Sequence, residues 1–280
     1  MQTAWEPIVS ETVAAPFWDQ LRQGDILELS PHDRQTNDHS IGIVINADCD
    51  LAHGKLDGVV AYLPVYTLQQ YTELFWGPEQ FIPQHKDAHL EWLKRELELS
   101  KHETDELVAR LPEIGPDAMS DLLQSACDID DRRIASIKNK LHGLALLLSD
   151  DSSCFGKIIE FARREKKPEI FLRKLMQAAT TEASLGGAHF FLSEISGIDA
   201  LGFIIRLRRI YSVPADNCTP VTPETTKAEH IYRRLCRLSE PYKYKIAQKF
   251  AFQFSRIGLP DDLIGNRATA LEFFIEEHLP

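Results

Sequence analysis

An α+β fold is predicted, with a small β-barrel or curled sheet built from both ends of the chain around a large helical insertion. Three observations lead there. Short β-rich runs occur within residues 21–66 and again within 186–215, the segment 67–185 between them has helical periodicity, and neither β piece has enough strands to stand alone as a stable sheet. The expected organisation is therefore 1–66 as the N-terminal part of the barrel, 67–185 as the insertion, 186–223 as the returning strands and 224–280 as C-terminal helices.

Residues 1–20 read as a lead-in that docks through Trp5, Phe17 and Trp18. Asp25–Leu29 and Ile41–Asn46 read as strands joined by a polar loop carrying Pro31, Asp33, Arg34, Asn37 and Asp38, and Gly58–Val65 as a third strand. Leu90, Leu93, Leu97, Leu107 and Leu111 recur at helical spacing, with Pro112 expected to end the run. Pro116 opens a further helix over Ala118–Ala126. Asp128–Asp131 supplies an acidic start for Arg132–Leu148, whose Ile134, Ile137, Leu141, Leu144 and Leu148 make one stripe. Phe155–Met176 is basic and interrupted by Pro168. His189–Ile195 and Leu201–Val213 read as the returning strands, turning at Gly197 and Asp199. Beyond them, Ile231, Leu235 and Leu238 suggest one short helical face. Ile246, Phe250 and Phe254 suggest another, its aromatics facing a core, closed by Gly258 and Pro260.

The composition, 44% apolar and 26% charged, is that of a soluble globular protein. No apolar run approaches the length of a membrane span, and the acidic start does not resemble a secretory signal. The five cysteines, Cys49, Cys127, Cys154, Cys218 and Cys236, include no C-x-x-C pair. A reducing cytoplasm is expected rather than a disulfide framework or zinc ribbon. Net charge is −11 and unevenly placed: residues 1–130 carry 24 acids against 8 bases, residues 131–280 carry 18 against 23. A chain halved in this way can close on itself electrostatically, or present a basic face to nucleic acid or an acidic partner.

The candidate site is the corner where the second strand ends, Asp48-Cys49-Asp50, with His53 just beyond and His39 nearby in sequence. Cysteine and histidine can form a nucleophile and base, and two aspartates with a histidine can hold a cation. The same residues also suit the start of a short helical turn with an inward-facing Cys49. Arg206 and Arg208, placed together on one face of a strand, can grip phosphate or pair with the acidic first half. No phosphate-binding loop, dinucleotide fingerprint, H-E-x-x-H or G-x-S-x-G occurs, so no cofactor and no metal are expected.

Gly24–Ile26, Asp48–Asp50 and Pro241–Pro260 together resemble an uncharacterised bacterial family with a Gly-Asp-Ile strand, an Asp-Cys-Asp corner and a closing Arg-x-Gly-Leu-Pro helix. That resemblance implies companions of mobile or defence gene clusters. More distantly, the opening is similar to the Src-homology-3-like barrel of MazF/PemK-type endoribonuclease toxins. That likeness implies a basic loop residue, loosely Arg34, and a Ser or Thr after the second strand, where this chain has Asn46-Ala47-Asp48. The expectation is a non-enzymatic protein-interaction component of a bacterial defence or conflict system, with a protein partner and no membrane. A MazF/PemK-like nucleic-acid-binding protein or endoribonuclease is the alternative.

Overall fold

The computed structural model describes residues 10–16, 19–29, 38–127, 129–181, 187–218 and 232–255. Among them are eight strands: β1 (Thr12–Val13), β2 (Asp25–Glu28), β3 (Ile41–Val44), β4 (Val59–Thr67), β5 (His189–Glu194), β6 (Leu201–Arg206), β7 (Tyr211–Pro214) and β8 (Arg233–Leu238). They join in the order β1-β8-β2-β3-β4-β6-β5, with β7 against β4. The fold is α+β, a nearly closed antiparallel barrel-like sheet interrupted by a helical insertion. The chain divides into two compact units, 1–65 with 186–199 and 205–280, and 66–185 with 200–204.

The sheet is organised around Gly24 and Asp25. Gly24 sits at φ +84°, a conformation that favours glycine. Its N–H donates to the Val44 carbonyl at 2.9 Å and its own carbonyl accepts from Leu238 N at 2.8 Å, so one residue ties β3 to β8. Asp25 is fully buried. Its carboxylate accepts from Arg237 Nε at 2.5 Å and Nη2 at 3.2 Å, Arg234 Nη1 at 3.1 Å and the Arg22 backbone N–H at 2.9 Å.

Two arginines three residues apart on a regular strand would point to opposite faces. Here Ile26 pairs with Cys236 but Leu27 pairs with Arg234, leaving Leu235 as an extra residue in β8. That bulge returns Arg234 and Arg237 to the face of Asp25, and puts Arg233 opposite Glu28, with 2.6 Å between their charged groups. The same guanidinium groups hold the lead-in. Arg234 donates to the carbonyls of Pro16, Asp19 and Gln20, and Arg237 donates to Gln20 and to the Asp19 carboxylate at 2.8 Å. The hydrogen bond from Arg237 holds Asp19 below the usual carboxylate range.

Two expectations for the chain's second half are corrected. Residues 233–238 form a strand, not a helix: Arg and Leu favour helix, but pairing with β2 and the ion pairs to Asp25 outweigh that propensity. The expected strand Leu201–Val213 is two, β6 and β7, separated by a turn at Leu207–Arg208. Trp5, Phe17, Trp18, Gly258 and Pro260 lie outside the described residues.

Among the described residues the α-helices are α1 (Asp48–Ala52), α2 (Leu68–Tyr71), α3 (Ile82–Glu96), α4 (Lys101–Ile114), α5 (Pro116–Cys127), α6 (Asp131–Leu148), α7 (Cys154–Arg163), α8 (Pro168–Thr180) and α9 (Glu240–Ser255). A π-helical stretch, Thr72–Phe81, joins α2 to α3. In the insertion, Leu93, Leu107, Leu111, Ile137, Leu141 and Leu144 share one buried cluster. The leucine run around residue 100 breaks into two helices, with Ser100 capping the second through a reciprocal box with Glu103. Pro112 does not end α4, which runs to Ile114 and closes at Gly115, φ +85°. Asp130 caps α6, accepting from Arg132 N and Arg133 N at 3.0 and 2.9 Å. The Glu73 carboxylate caps α7 through Cys154 N at 2.8 Å and Phe155 N at 2.6 Å. Buried Lys157 donates to the Leu147 and Ser149 carbonyls at the end of α6.

Substituting Asp25→Ala removes the fully buried carboxylate that Arg234 and Arg237 share, so a loss of about 3–5 kcal/mol is expected in urea unfolding. Within the insertion, burial pushes His89 down to about 4 from 6.5 and depresses His85 as well. The unfolded chain therefore takes up protons first. Stability should be full above about pH 6.5 and decline as pH falls toward 4, by about 2 kcal/mol from His89 after solvent screening. Denaturation midpoints between pH 7 and 4 test this, and His89→Gln should flatten the decline.

Candidate functional site

Asp48, Cys49 and Asp50 form the first turn of α1, directly after β3. Their bonding is structural. Asp48 Oδ1 accepts from the Gln23 backbone N–H at 2.8 Å and Oδ2 from Lys243 Nζ at 3.2 Å, fastening the turn to the residue before Gly24 and to α9. Asn46 Oδ1 accepts from Ala61 N at 2.7 Å and closes the end of β3 against β4. The expected inward Cys49 is corrected: its side chain is exposed, and Sγ donates to Asp50 Oδ1 at 3.5 Å. Because the turn is helical, residue 49 does not continue the buried run of β3. His53 is exposed at the end of α1, and among the described residues no histidine hydrogen-bonds to Cys49. Burial pushes the Cys154 and Cys236 thiols up to about 11 and Cys218 up to about 12, which suits buried thiols and not nucleophiles.

Next to the corner is a cleft of about 260 Å³ between the sheet and α9. Ile43, Ile45 and Leu238 line one wall, Ile246, Ala247 and Phe250 the other, and Lys243 is the cationic side chain in the lining. The helix meets the sheet through buried Ile246. The expectation that its aromatics are core is corrected in part: Tyr244 is 58% exposed and Phe254 43%, while Phe250 is half-buried at the cleft. Lys243 Nζ lies 4.8 Å from the Tyr244 ring centroid.

Arg206 and Arg208 do not share an exposed strand face. Gly202 to Ile205 are buried in succession because β6 pairs on both sides, and Arg206 is half-buried at its end. Arg208 lies beyond the strand in the turn, where Nε donates to Gln253 Oε1 at 3.1 Å. Arg34 lies outside the described residues.

His39, read from the sequence as a companion of the corner, belongs instead to a second polar cluster with Asp38 and Tyr62. His39 is buried, with Nδ1 3.1 Å from Asp38 Oδ1 and Nε2 3.3 Å from the Tyr62 hydroxyl. A carboxylate can only accept, so Nδ1 carries the proton and Nε2 accepts from Tyr62. The His39 and Tyr211 ring centroids are 4.5 Å apart. Gly42 makes room, since a Cβ there would run into the Tyr62 ring. Asp38-His39 adjacent in sequence was the available signal, with Tyr62 and Tyr211 supplied by other strands. Among the described residues no group of three or more His, Cys, Asp or Glu could hold a metal ion, and no helix is long and apolar enough to cross a membrane.

Comparison of the chain with protein-family models, curated proteins and solved structures returned no match.

Cys49→Ser should change stability by less than about 0.5 kcal/mol, as expected for an exposed side chain with a weak contact. Tyr62→Phe leaves the buried His39 Nε2 without this donor and should cost about 1–3 kcal/mol. Thermal melts of the two variants give the contrast, and a large loss from Cys49→Ser would contradict the exposed placement.

Proposed function

We propose that this protein is a non-enzymatic binding component of a bacterial defence or conflict system, docking a protein partner at the cleft beside α9. The observation that carries the reading is the internal engagement of cations around the barrel. Arg233 bonds to Glu28, Arg234 and Arg237 to Asp25, Arg237 also to Asp19, and Lys243 to Asp48. Groups neutralised in this way are poor phosphate ligands, because a nucleic acid would have to displace carboxylates already in place. The cleft offers apolar walls, with Asp50 on the turn beside Lys243 and its partner Asp48. A partner presenting an apolar anchor flanked by basic side chains complements both features. The likeness of the Gly-Asp-Ile and Asp-Cys-Asp segments to defence-cluster companions supports the biological setting.

The test is affinity purification from native cells of the wild type and of Ala247→Phe, which fills the cleft. A stoichiometric partner retained by the wild type and lost from a folded Ala247→Phe is expected. A chain recovered alone and monomeric under all conditions would overturn the proposal. So would tight binding to single-stranded RNA that weakens by about 0.7 log units per log unit of salt for each phosphate contact, which would favour the endoribonuclease-like alternative.

A further inference from the structure

The barrel is nearly closed, and among the described residues its two outer strands, β1 and β5, meet without a backbone ladder between them. An edge strand leaves a row of N–H and C=O groups in need of partners. Here two side chains of the β1 segment supply acceptors. Glu11 Oε2 accepts from the Ser193 and Glu194 backbone N–H groups at 2.6 and 3.2 Å, and Thr12 Oγ1 accepts from Ser196 N at 3.1 Å. On its other side the segment rests on β8. Thr12 pairs with Leu238 and Val13 with Arg237, and the Glu11 carbonyl accepts from Ser239 N at 2.9 Å.

The two sides of this seam are not equally fixed. β5 also pairs with β6, and its Phe190 meets the Tyr242 ring of α9 edge-on, with centroids 6.4 Å apart. β1 is only two residues long, and its Val13 is 44% exposed. The chain just behind it is clamped, since Arg234 holds the carbonyls of Pro16 and Asp19 and Arg237 holds that of Gln20. Movement of β1 is thereby confined to a hinge at residues 13–16. A short element with few bonds, set between anchored neighbours, belongs at the low end of local opening free energies. The strongest of its bonds are those to the Glu11 carboxylate, because they are charge-assisted.

We infer that residues 10–13 are a strap across the barrel seam that lifts as a unit from β8 and β5, with the Glu11 carboxylate as its latch. Lifting uncovers the N–H groups of Ser193, Glu194, Ser196 and Ser239 together, while the ladder between β8 and β2 stays intact. Leu238, the partner of Thr12, also lines the α9 cleft, so the strap and the cleft share a residue.

The experiment is amide hydrogen exchange of the full chain, read by NMR at pH 7 under native conditions. Neighbouring residues supply the control: Ser239 N bonds to the strap, whereas Leu238 N bonds to the Gly24 carbonyl on the β2 side. In the wild type, Ser193, Glu194, Ser196 and Ser239 should share one level of protection, at least about tenfold below that of Leu238 and Gly24. Glu11→Ala should speed exchange at all four by about tenfold or more, the equivalent of one charge-assisted hydrogen bond, and leave Leu238 and Gly24 unchanged. Glu11→Gln keeps an acceptor oxygen without the charge and should fall between the two. Where Glu11→Ala does not fold, Glu11→Gln carries the same criteria. Ser196 and Ser239 decide the matter, because neither bonds to the carboxylate. The inference is overturned if the four amides are as protected as Leu238 in the wild type. It is also overturned if the variants speed only Ser193 and Glu194, which marks two lost bonds and no strap. Equal acceleration at Leu238 and Gly24 overturns it as well, since the barrel then opens as a whole. None of these outcomes bears on partner docking at the α9 cleft.

Discussion

The burial of one carboxylate, Asp25, is the constraint on which the barrel depends. A charge removed from water is tolerable only where opposite charge and hydrogen bonds surround it, and Asp25 has two guanidinium groups and a backbone N–H. That requirement dictates what β8 must be. It must lie beside β2, it must place Arg237 opposite Asp25, and it must carry a bulge so that Arg234 returns to the same face. Beyond the bulge, Arg237 and Leu238 pair with β1, and the chain passes through Ser239 to the start of α9. A slip of one residue would leave the carboxylate buried without partners, so the ion cluster specifies pairing more sharply than the apolar pattern of β8 could.

This is also where the sequence was hardest to read. Arg233, Arg234 and Arg237, with Leu235 and Leu238, follow the three-to-four spacing of a helix. A bulged strand produces the same spacing by inserting one residue into a period of two. No local property separates the two cases, and the arbiter is Asp25, more than two hundred positions earlier in the chain. By contrast, β3, β4 and α6 were legible because their determinants are local: continuous apolar runs bounded by turn residues, and an aspartate cap before an apolar stripe. The break between α3 and α4 was missed because leucines continue through it, although Ser100 and Glu103 already spelled a capping box.

The Asp48–Asp50 corner was found for a sound reason and given the wrong interior. Carboxylates at the end of a buried strand do need partners, and Asp48 has them in Gln23 N and Lys243. The short helical turn itself was legible; what the residues could not convey is that it already begins at Asp48, which sends Cys49 outward. The apolar cleft beside it was invisible for a different reason. Its walls come from β3, β8 and α9, three elements distant in sequence, and each contributes residues that look like ordinary core.

The uneven charge of the two chain halves finds its explanation in the same pairings. The carboxylates that anchor the barrel, Asp19, Asp25, Glu28 and Asp48, all come from the acidic first half, and their partners Arg233, Arg234, Arg237 and Lys243 all come from the basic second half. Attraction between the halves favours closing the sheet with its last strand, a contact whose loop-closure cost is otherwise met late and non-locally. Basic residues clustered near the C-terminus thus read as a nucleic-acid footprint in the linear chain and as half of an internal ion network in the fold.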